Sequence, residues 1–213
     1  MIAKGKSISH GTAALEYDLA KEINGEAAAT EIHRHELFGC TGEEMVQEMK
    51  PYHIDFPNVK NNCLRFEVSP SIEESATFTD ADWAELGNDF MQRMGLANHQ
   101  YIIIRHSGTE SKKEQAHLHI LANRVSLSGE LYRDNWIGKK ATEAANAIAK
   151  ERNFVQSQDI GKVNKAEIKE AMDGVLKKMQ GFDFTKFKEE LGKRGFKVRE
   201  ARASTGKLNG YYV

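Results

Sequence analysis

The sequence predicts an α+β fold, in which the strands of an antiparallel sheet share a core with amphipathic helices. The clearest strand lies within residues 61–71, where Leu64, Phe66 and Val68 alternate with polar residues. Residues 101–125 predict two further strands, one on each side of a polar loop. Helical periodicity over residues 79–94 and 139–153 supplies helices to cover the sheet.

The first third of the chain predicts one strand and two helices. Residues 1–8 alternate as a short strand, and a cluster of capping residues at 9–12 precedes a helix over residues 13–23. Thr41 and Glu44 have the spacing of a capping box for a helix through residue 50. Pro51 is expected to end that helix, because its ring blocks continuation.

The C-terminal half predicts a hairpin, two helices and two strands. Residues 126–136 favour a hairpin with Gly129 at its turn, and the polar residues 155–165 are interpreted as a surface loop. Helices are expected over residues 165–179 and 183–194, the second ended by Gly195. Two strands are expected on either side of residues 204–206.

Length and composition describe a soluble globular protein. The chain has 213 residues, of which 40% are hydrophobic and 29% charged. No apolar run approaches the roughly 20 residues that span a bilayer, and residues 1–11 lack the apolar core of a secretory signal. The two cysteines, Cys40 and Cys63, are interpreted as reduced thiols. We therefore expect a cytoplasmic protein with no membrane partner.

Charge is distributed unevenly along the chain. Residues 1–100 carry 8 Lys and Arg against 17 Asp and Glu, whereas residues 101–213 carry 22 against 14. Nucleic acid needs a local positive surface rather than a positive total, so the asymmetry permits such a partner; the alternative is a solvated charged face. The basic cluster consists of six residues near the C-terminus: Lys193, Arg194, Lys197, Arg199, Arg202 and Lys207.

Three histidines on the predicted hairpin indicate a metal site. His117 and His119 are two residues apart on one strand, so their side chains share a face of the sheet. If residues 107–116 connect a hairpin, His106 at the end of the preceding strand lies beside them. Neutral imidazole is a good ligand for divalent transition metals. A structural zinc site remains open, but three ligands without a nearby fourth favour an open, catalytic one.

His33 and His35 also alternate, but they have no third ligand near them in the sequence. They are interpreted as surface or turn residues.

The motif His117-Leu118-His119 resembles the histidine–hydrophobic–histidine signature of the HUH endonucleases. The longer string HLHILANRV resembles the third motif of the conjugative relaxases, or mobilization nucleases, and His106 fits the third metal-binding histidine of that family. The resemblance extends over most of the chain. It implies a single nuclease domain over residues 1–213, either a whole protein or the N-terminal part of a longer one.

The resemblance implies a fold and a set of site residues. The family has a central antiparallel sheet of about five strands, with helices mainly on one face and the metal site on the other. Residues 14–17 match its N-terminal motif, in which Tyr17 is the nucleophile. Residues 68–70 resemble its second motif, where Ser69 contacts DNA, and the tail resembles its "G-x-x-V…STGK…G" ending. Arg124 and the basic cluster are further candidate DNA contacts.

The acid that orients the metal ligands has no assigned position. Many family members place an acid two residues after the first histidine, where this chain has Gly108. Glu67 is a candidate orienting carboxylate on the strand at residues 61–71, although it is equally well an exposed charge paired with a lysine. Glu110 and Glu114 are alternatives in the loop. Asn123 is a further orienting candidate, because the family has an asparagine four residues after the last histidine.

The resemblance implies a metal-dependent endonuclease that nicks single-stranded origin-of-transfer DNA through a 5′-phosphotyrosine. Three nitrogen ligands suit Mn, Zn, Ni or Co, whereas the family is usually assigned Mg or Mn. Accessory mobilization proteins and a coupling protein are implied partners.

Other classes remain open. A rolling-circle replication initiator shares the chemistry, but its tyrosine usually follows the histidines. A non-catalytic single-stranded nucleic-acid-binding module does not need three histidines, and a histidine-dependent nucleotide hydrolase would want another histidine where Leu121 stands.

Overall fold

A computed structural model describes residues 1–23, 26–108 and 115–213 of the chain. These residues form two compact units, Met1–Ser157 and Gln158–Val213. The expectation that residues 1–213 make a single nuclease domain stays a prediction.

The first unit is built on a five-stranded antiparallel sheet with strand order β1-β5-β7-β6-β4. A separate two-stranded pair is formed by β2 and β3. The strands are β1 (Ile2–Ile8), β2 (Glu22–Ile23), β3 (Glu26–Ala27), β4 (Ala29–His35), β5 (Cys63–Ser69), β6 (His99–His106) and β7 (His117–Ser126). The predicted α+β class and the five-stranded sheet are confirmed.

Five helices belong to the same unit: α1 (Gly11–Leu19), α2 (Gly42–Met49), α3 (Ile72–Ser75), α4 (Asp80–Arg93) and α5 (Ile137–Glu151). One face of the sheet is covered by α4 and α5, which bury the alternate residues of β5, β6 and β7. Leu64, Phe66 and Val68 belong to this core, as the alternation predicts. The predicted capping box of Thr41 and Glu44 begins α2.

The opposite face of the sheet carries α1 and α2. Leu15 of α1 and Met45 of α2 pack with Ile102, Ile104 and Leu121 in a second core. Because α1 and α2 cover only part of this face, polar side chains occupy the rest. The site residues lie there, on the same face as α1.

Close packing at Gly11 brings the first turn of α1 down onto the sheet. A Cβ atom at this position would lie 2.6 Å from the sulfur of Cys63 on β5, closer than real contacts allow. Glycine therefore permits the helix to start directly above β5. Residues 17 and 18, less than two turns further along, are carried to the polar part of the face.

The second unit contains α6 (Ser157–Leu176, starting at the last residue of the first unit), α7 (Phe184–Lys193), β8 (Arg199–Arg202) and β9 (Leu208–Tyr212). Its core consists of Ala171, Val175, Phe187, Leu191 and Val198. The strands β8 and β9 form the predicted antiparallel pair on either side of residues 204–206.

Local structure differs from the predictions at residues 158–165 and at His33 and His35, and agrees with them at the end of α2. Residues 158–165 are helical rather than loop, because the first half of α6 buries no residue and so shows no apolar periodicity. The helix α2 ends before Pro51, as predicted. Pro51 lies in the 3-10 turn Lys50–His53 that follows, at a position where the missing N–H is not needed. His33 and His35 lie on the edge strand β4, where their rings pack against Tyr101.

Candidate metal centre and nuclease site

The hairpin of β6 and β7 brings the three predicted ligands together. His106 pairs directly with His117 in the sheet register, and His119 pairs with Ile104 two residues along. One nitrogen from each ring lies within 4.8 Å of the others. His117 Nε2 and His119 Nε2 are already 3.1 Å apart, close to the roughly 3.0–3.4 Å that neighbouring ligands span when metal–nitrogen bonds are about 2.1 Å.

The outer nitrogens of two rings are held by backbone carbonyls. His106 Nε2 lies 2.8 Å from the carbonyl oxygen of Asp18, and His117 Nδ1 lies 3.1 Å from that of Gln115. A carbonyl oxygen only accepts hydrogen bonds, so both nitrogens carry the proton and donate it. The remaining nitrogens, His106 Nδ1 and His117 Nε2, keep their lone pairs. This is the arrangement that protein metal sites use to fix their histidines.

Burial favours the neutral form of two of the imidazoles, His106 and His119. It lowers the pKa of His119 to about 2, with further lowering from His106, His117 and Arg65. Burial also lowers the pKa of His106, partly opposed by its hydrogen bond to Asp18. Neutral rings offer lone pairs to a cation, so the donor set fits a divalent metal ion.

Tyr17 opens onto the same depression as the histidines. This depression has a volume of about 240 Å³ and is lined by Tyr17, Lys21, Glu67, His106, Gly108, His117 and His119. The Tyr17 side chain is 59% exposed, which leaves it accessible to a macromolecular substrate. Lys21, four residues further along the chain and just past the end of α1, places its ammonium 3.4 Å from the Tyr17 hydroxyl oxygen.

An ion pair with a buried carboxylate lies beneath the tyrosine. Asp18 is only 1% exposed and accepts two hydrogen bonds from Arg65, at 3.0 Å and 2.5 Å. Arg65 Nη2 also lies 3.1 Å from His119 Nδ1, and Asp18 Oδ1 lies 3.6 Å from the same nitrogen. Burial raises the pKa of Asp18, while the hydrogen bonds and charge of Arg65 lower it.

Comparison with protein families gives one decisive match. The family model of the relaxase nuclease domain, MobA/VirD2-like, matches residues 17–154, well over half of the chain. The chain belongs to this family. The match begins at Tyr17 and includes all three histidines.

Comparison with solved structures finds the conjugative relaxase TrwC, in a metal-bound complex with oriT DNA, at 11% identity and a TM-score of 0.41. That match covers 97% of this chain and 74% of the TrwC chain. No curated protein matches the sequence.

Two predicted residues of this relaxase lie near the histidines without bonding them. Glu67 pairs with His119 in the sheet register, but its carboxylate lies 3.6 Å from Lys4 Nζ, and no hydrogen bond joins it to a histidine among the described residues. Ser69 accepts a hydrogen bond of 3.2 Å from Gln115 and lines a neighbouring depression with His117. Glu67 is 40% exposed, as an ion pair at the surface would be.

Two other predicted residues of the relaxase lie away from the histidines. Asn123 shares their face of β7 but is fully buried, and it bonds to His53, Gln100 and the Met49 carbonyl. Arg124 lies on the opposite face, where it bonds to two backbone carbonyls and pairs with Asp134 at 2.7 Å. The structure brings neither side chain to the three histidines.

The remaining predicted residues belong to other parts of the relaxase. All six members of the basic cluster are exposed in the second unit. Lys193 pairs with Glu190 and Arg202 with Glu200, which reduces their free charge. Glu110 and Glu114 lie outside the described residues.

Among the described helices, none is long and apolar enough to cross a membrane.

Sequence reasoning missed three residues of the relaxase site: Asp18, Lys21 and Arg65. Asp18 and Arg65 are 47 residues apart in the chain and meet only because α1 crosses β5. Lys21 follows Tyr17 by four residues and lies just past the end of α1; in the helix predicted over residues 13–23 this spacing offered a local signal for the contact.

Proposed function

We propose that this relaxase nicks and rejoins one strand of origin-of-transfer DNA, at a specific site, through a covalent 5′-phosphotyrosine on Tyr17. The observation that carries the proposal is the shared depression. It combines an accessible phenol, an ammonium group beside the hydroxyl and three clustered imidazoles. A nucleophile next to a site for positive charge is what phosphoryl transfer requires.

The proposed reaction exchanges one phosphodiester for another. Tyr17 Oη attacks the scissile phosphorus, and a new O–P bond forms as the bond from phosphorus to the 3′ oxygen breaks. The phenolic proton ends on the 3′ oxygen, which leaves as a free hydroxyl. Because the bond energy is kept in the phosphotyrosine, a 3′ hydroxyl can reverse the step without ATP.

A divalent metal would be held by His106, His117 and His119. When bound, it supplies positive charge to the non-bridging phosphate oxygens. Mg or Mn is expected from the family, and the three nitrogens also suit Zn, Ni or Co.

Three lysines support a path for the DNA backbone across this face of the sheet. Lys4 and Lys6 of β1 pair with Glu67 and Arg65 in the register, so they lie on the face that carries His119. They line a depression of about 180 Å³ whose wall includes His119. Lys21 lies beside Tyr17 in the depression that holds all three histidines. Phosphates bind such a row of cations without sequence preference. Ser69 extends the path.

The first test asks whether Tyr17 forms the covalent bond. Single strands tiled across the DNA that flanks the coding sequence are incubated with protein and Mn or Mg, and adducts are separated under denaturing conditions. Wild type should form an adduct with one strand, and Tyr17→Phe should form none. A wild type that forms no adduct with any strand would refute the proposal, and a Tyr17→Phe adduct would refute the nucleophile.

The second test measures the metal. His117→Ala should lose at least tenfold in Mn affinity in calorimetry, because it removes one of three ligands. His33→Ala is the matched control, since its ring lies on β4 against Tyr101. Undiminished binding by His117→Ala would rule out the three-histidine site.

A further inference from the structure

The buried carboxylate of Asp18 is the feature of this site that its family resemblance leaves without a role. We propose that Asp18, paired with Arg65, is the positioning acid that accepts a hydrogen bond from His119 Nδ1 when a metal binds, and so fixes the metal-binding tautomer of His119. In this role Asp18 takes the place of the acid that many family members have where this chain has Gly108. This inference rests on the proposed function, since it requires that the three histidines bind a divalent ion.

His119 differs from the other two ligands in what faces its outer nitrogen. His106 and His117 donate to backbone carbonyls, which fixes their protons on the outer side. The outer nitrogen of His119, Nδ1, instead faces Arg65 Nη2 at 3.1 Å. Guanidinium groups only donate, so Nδ1 must accept this bond and the ring proton lies on Nε2. In that form Nε2 donates to His117 Nε2 at 3.1 Å and has no lone pair for a metal.

Metal binding therefore needs the other tautomer of His119, with its proton on Nδ1. An N–H at this position requires an acceptor in place of Arg65. Asp18 Oδ1 is 3.6 Å from Nδ1, so a shift of under 1 Å makes the hydrogen bond. A carboxylate behind a ligand histidine fixes the tautomer and makes the ring a stronger ligand.

Asp18 also removes an electrostatic obstacle. Arg65 places a full positive charge within hydrogen-bonding distance of a metal ligand, in a region where water screens little. The two hydrogen bonds from Arg65 to Asp18 neutralise that charge. Without Asp18, the guanidinium would both repel the ion and keep His119 in the wrong tautomer.

Asp18 reaches two ligands from a single residue. Its carbonyl oxygen accepts from His106, and its carboxylate lies beside His119. It also follows Tyr17 directly on α1, so the residue that orients the ligands is covalently tied to the nucleophile. Glu67, the rival acid, is turned toward Lys4 at 3.6 Å.

Calorimetric titration with Mn decides between the two acids. Asp18→Asn should bind Mn about 10- to 100-fold more weakly than wild type, the usual effect of removing an outer-shell partner. Glu67→Gln should stay within about threefold. Equal affinity of Asp18→Asn and wild type would overturn the inference. If His119→Ala binds Mn as tightly as wild type, the metal site and the proposed function fail instead.

A second variant controls for unfolding, because removing one partner of a buried ion pair leaves an uncompensated charge that destabilises the fold. Asp18→Ala combined with Arg65→Met removes both charges, and its folded fraction is checked by circular dichroism without metal. This variant should still bind Mn at least tenfold more weakly than wild type. Wild-type affinity in the folded double variant would overturn the inference.

The tautomer itself can be read by long-range ¹⁵N–¹H NMR of the zinc-loaded wild type. The proton of His119 should be on Nδ1. A proton on Nε2 would contradict the role given to Asp18.

Discussion

At the scale of single residues, the contact between Lys21 and Tyr17 couples a cation to the proposed nucleophile. The ammonium lies 3.4 Å from the hydroxyl oxygen and 5.5 Å from the centre of the ring. A positive charge at this distance stabilises negative charge on the oxygen as the phenolic proton leaves. In the proposed reaction the Lys21 ammonium can also contact the phosphate that Tyr17 attacks.

Lys21→Ala should therefore slow nicking in single-turnover assays by about tenfold, which corresponds to ~1.4 kcal/mol of transition-state stabilisation. Lys21→Arg should retain most of the rate because it keeps the charge. Lys150→Ala on α5, an exposed lysine on a helix that covers the opposite face, is the matched control. A wild-type rate for Lys21→Ala would show that the contact plays no part in the reaction.

At the scale of secondary structure, the placement of α1 decides whether the site exists. The helix carries Tyr17 toward solvent and Asp18 toward the sheet, since successive helical residues point about 100° apart. The distance of α1 from the sheet is set at the contact between Gly11 and Cys63, whose thiol is buried. Burial raises the pKa of Cys63 to about 12, so the thiol behaves there as a small packing group.

Gly11→Ala should destabilise the fold by about 1–3 kcal/mol and slow nicking, because the added methyl group overlaps the Cys63 sulfur. Cys63→Ala in the same chain should make room for it. In a double-mutant cycle measured by chemical denaturation, the combined cost should be smaller than the sum of the single costs by about 1 kcal/mol. Additive costs would mean that the helix height is not set at this contact.

The elements differ in how much of them the sequence could predict. The strand β5 alternates, and β6 and β7 are apolar stretches on either side of a polar loop, so these strands could be predicted. The shared face of His117 and His119 follows from a period of two residues. The first half of α6 buries nothing and therefore carries no pattern. The Asp18–Arg65 pair depends on a helix crossing a strand, which local periodicity does not encode. The orienting acid was therefore sought at Glu67 and in the loop.

At the scale of the whole molecule, the uneven charge has a structural counterpart. The acidic first half forms most of the unit with the sheet, and the basic cluster is exposed in the second unit. Lys197, Arg199 and Lys207 are members of that cluster with exposed side chains. A cluster that binds DNA contributes through counterion release, so its effect must depend on salt.

Changing Lys197, Arg199 and Lys207 together to Ala should weaken binding to single-stranded DNA at low salt. It should also reduce the magnitude of the slope of log K against log salt concentration by about 2, because each of the three lost phosphate contacts contributes ~0.7 for a single strand. Fluorescence anisotropy at several salt concentrations measures both. The matched control changes three exposed lysines, Lys165 and Lys169 of α6 and Lys177 directly after it, and removes the same charge from the same unit. Equal slopes for the two variants would exclude a specific role for the basic cluster.

We propose that Tyr17 becomes covalently linked to the 5′ end of a nicked strand. Mass spectrometry of the nuclease-trimmed and proteolysed adduct locates the linkage directly. The expected result is a nucleotide phosphate on the peptide that contains Tyr17, with a free 3′ hydroxyl on the released strand. A phosphate on any other residue, or a 3′-linked nucleotide, would contradict the claim.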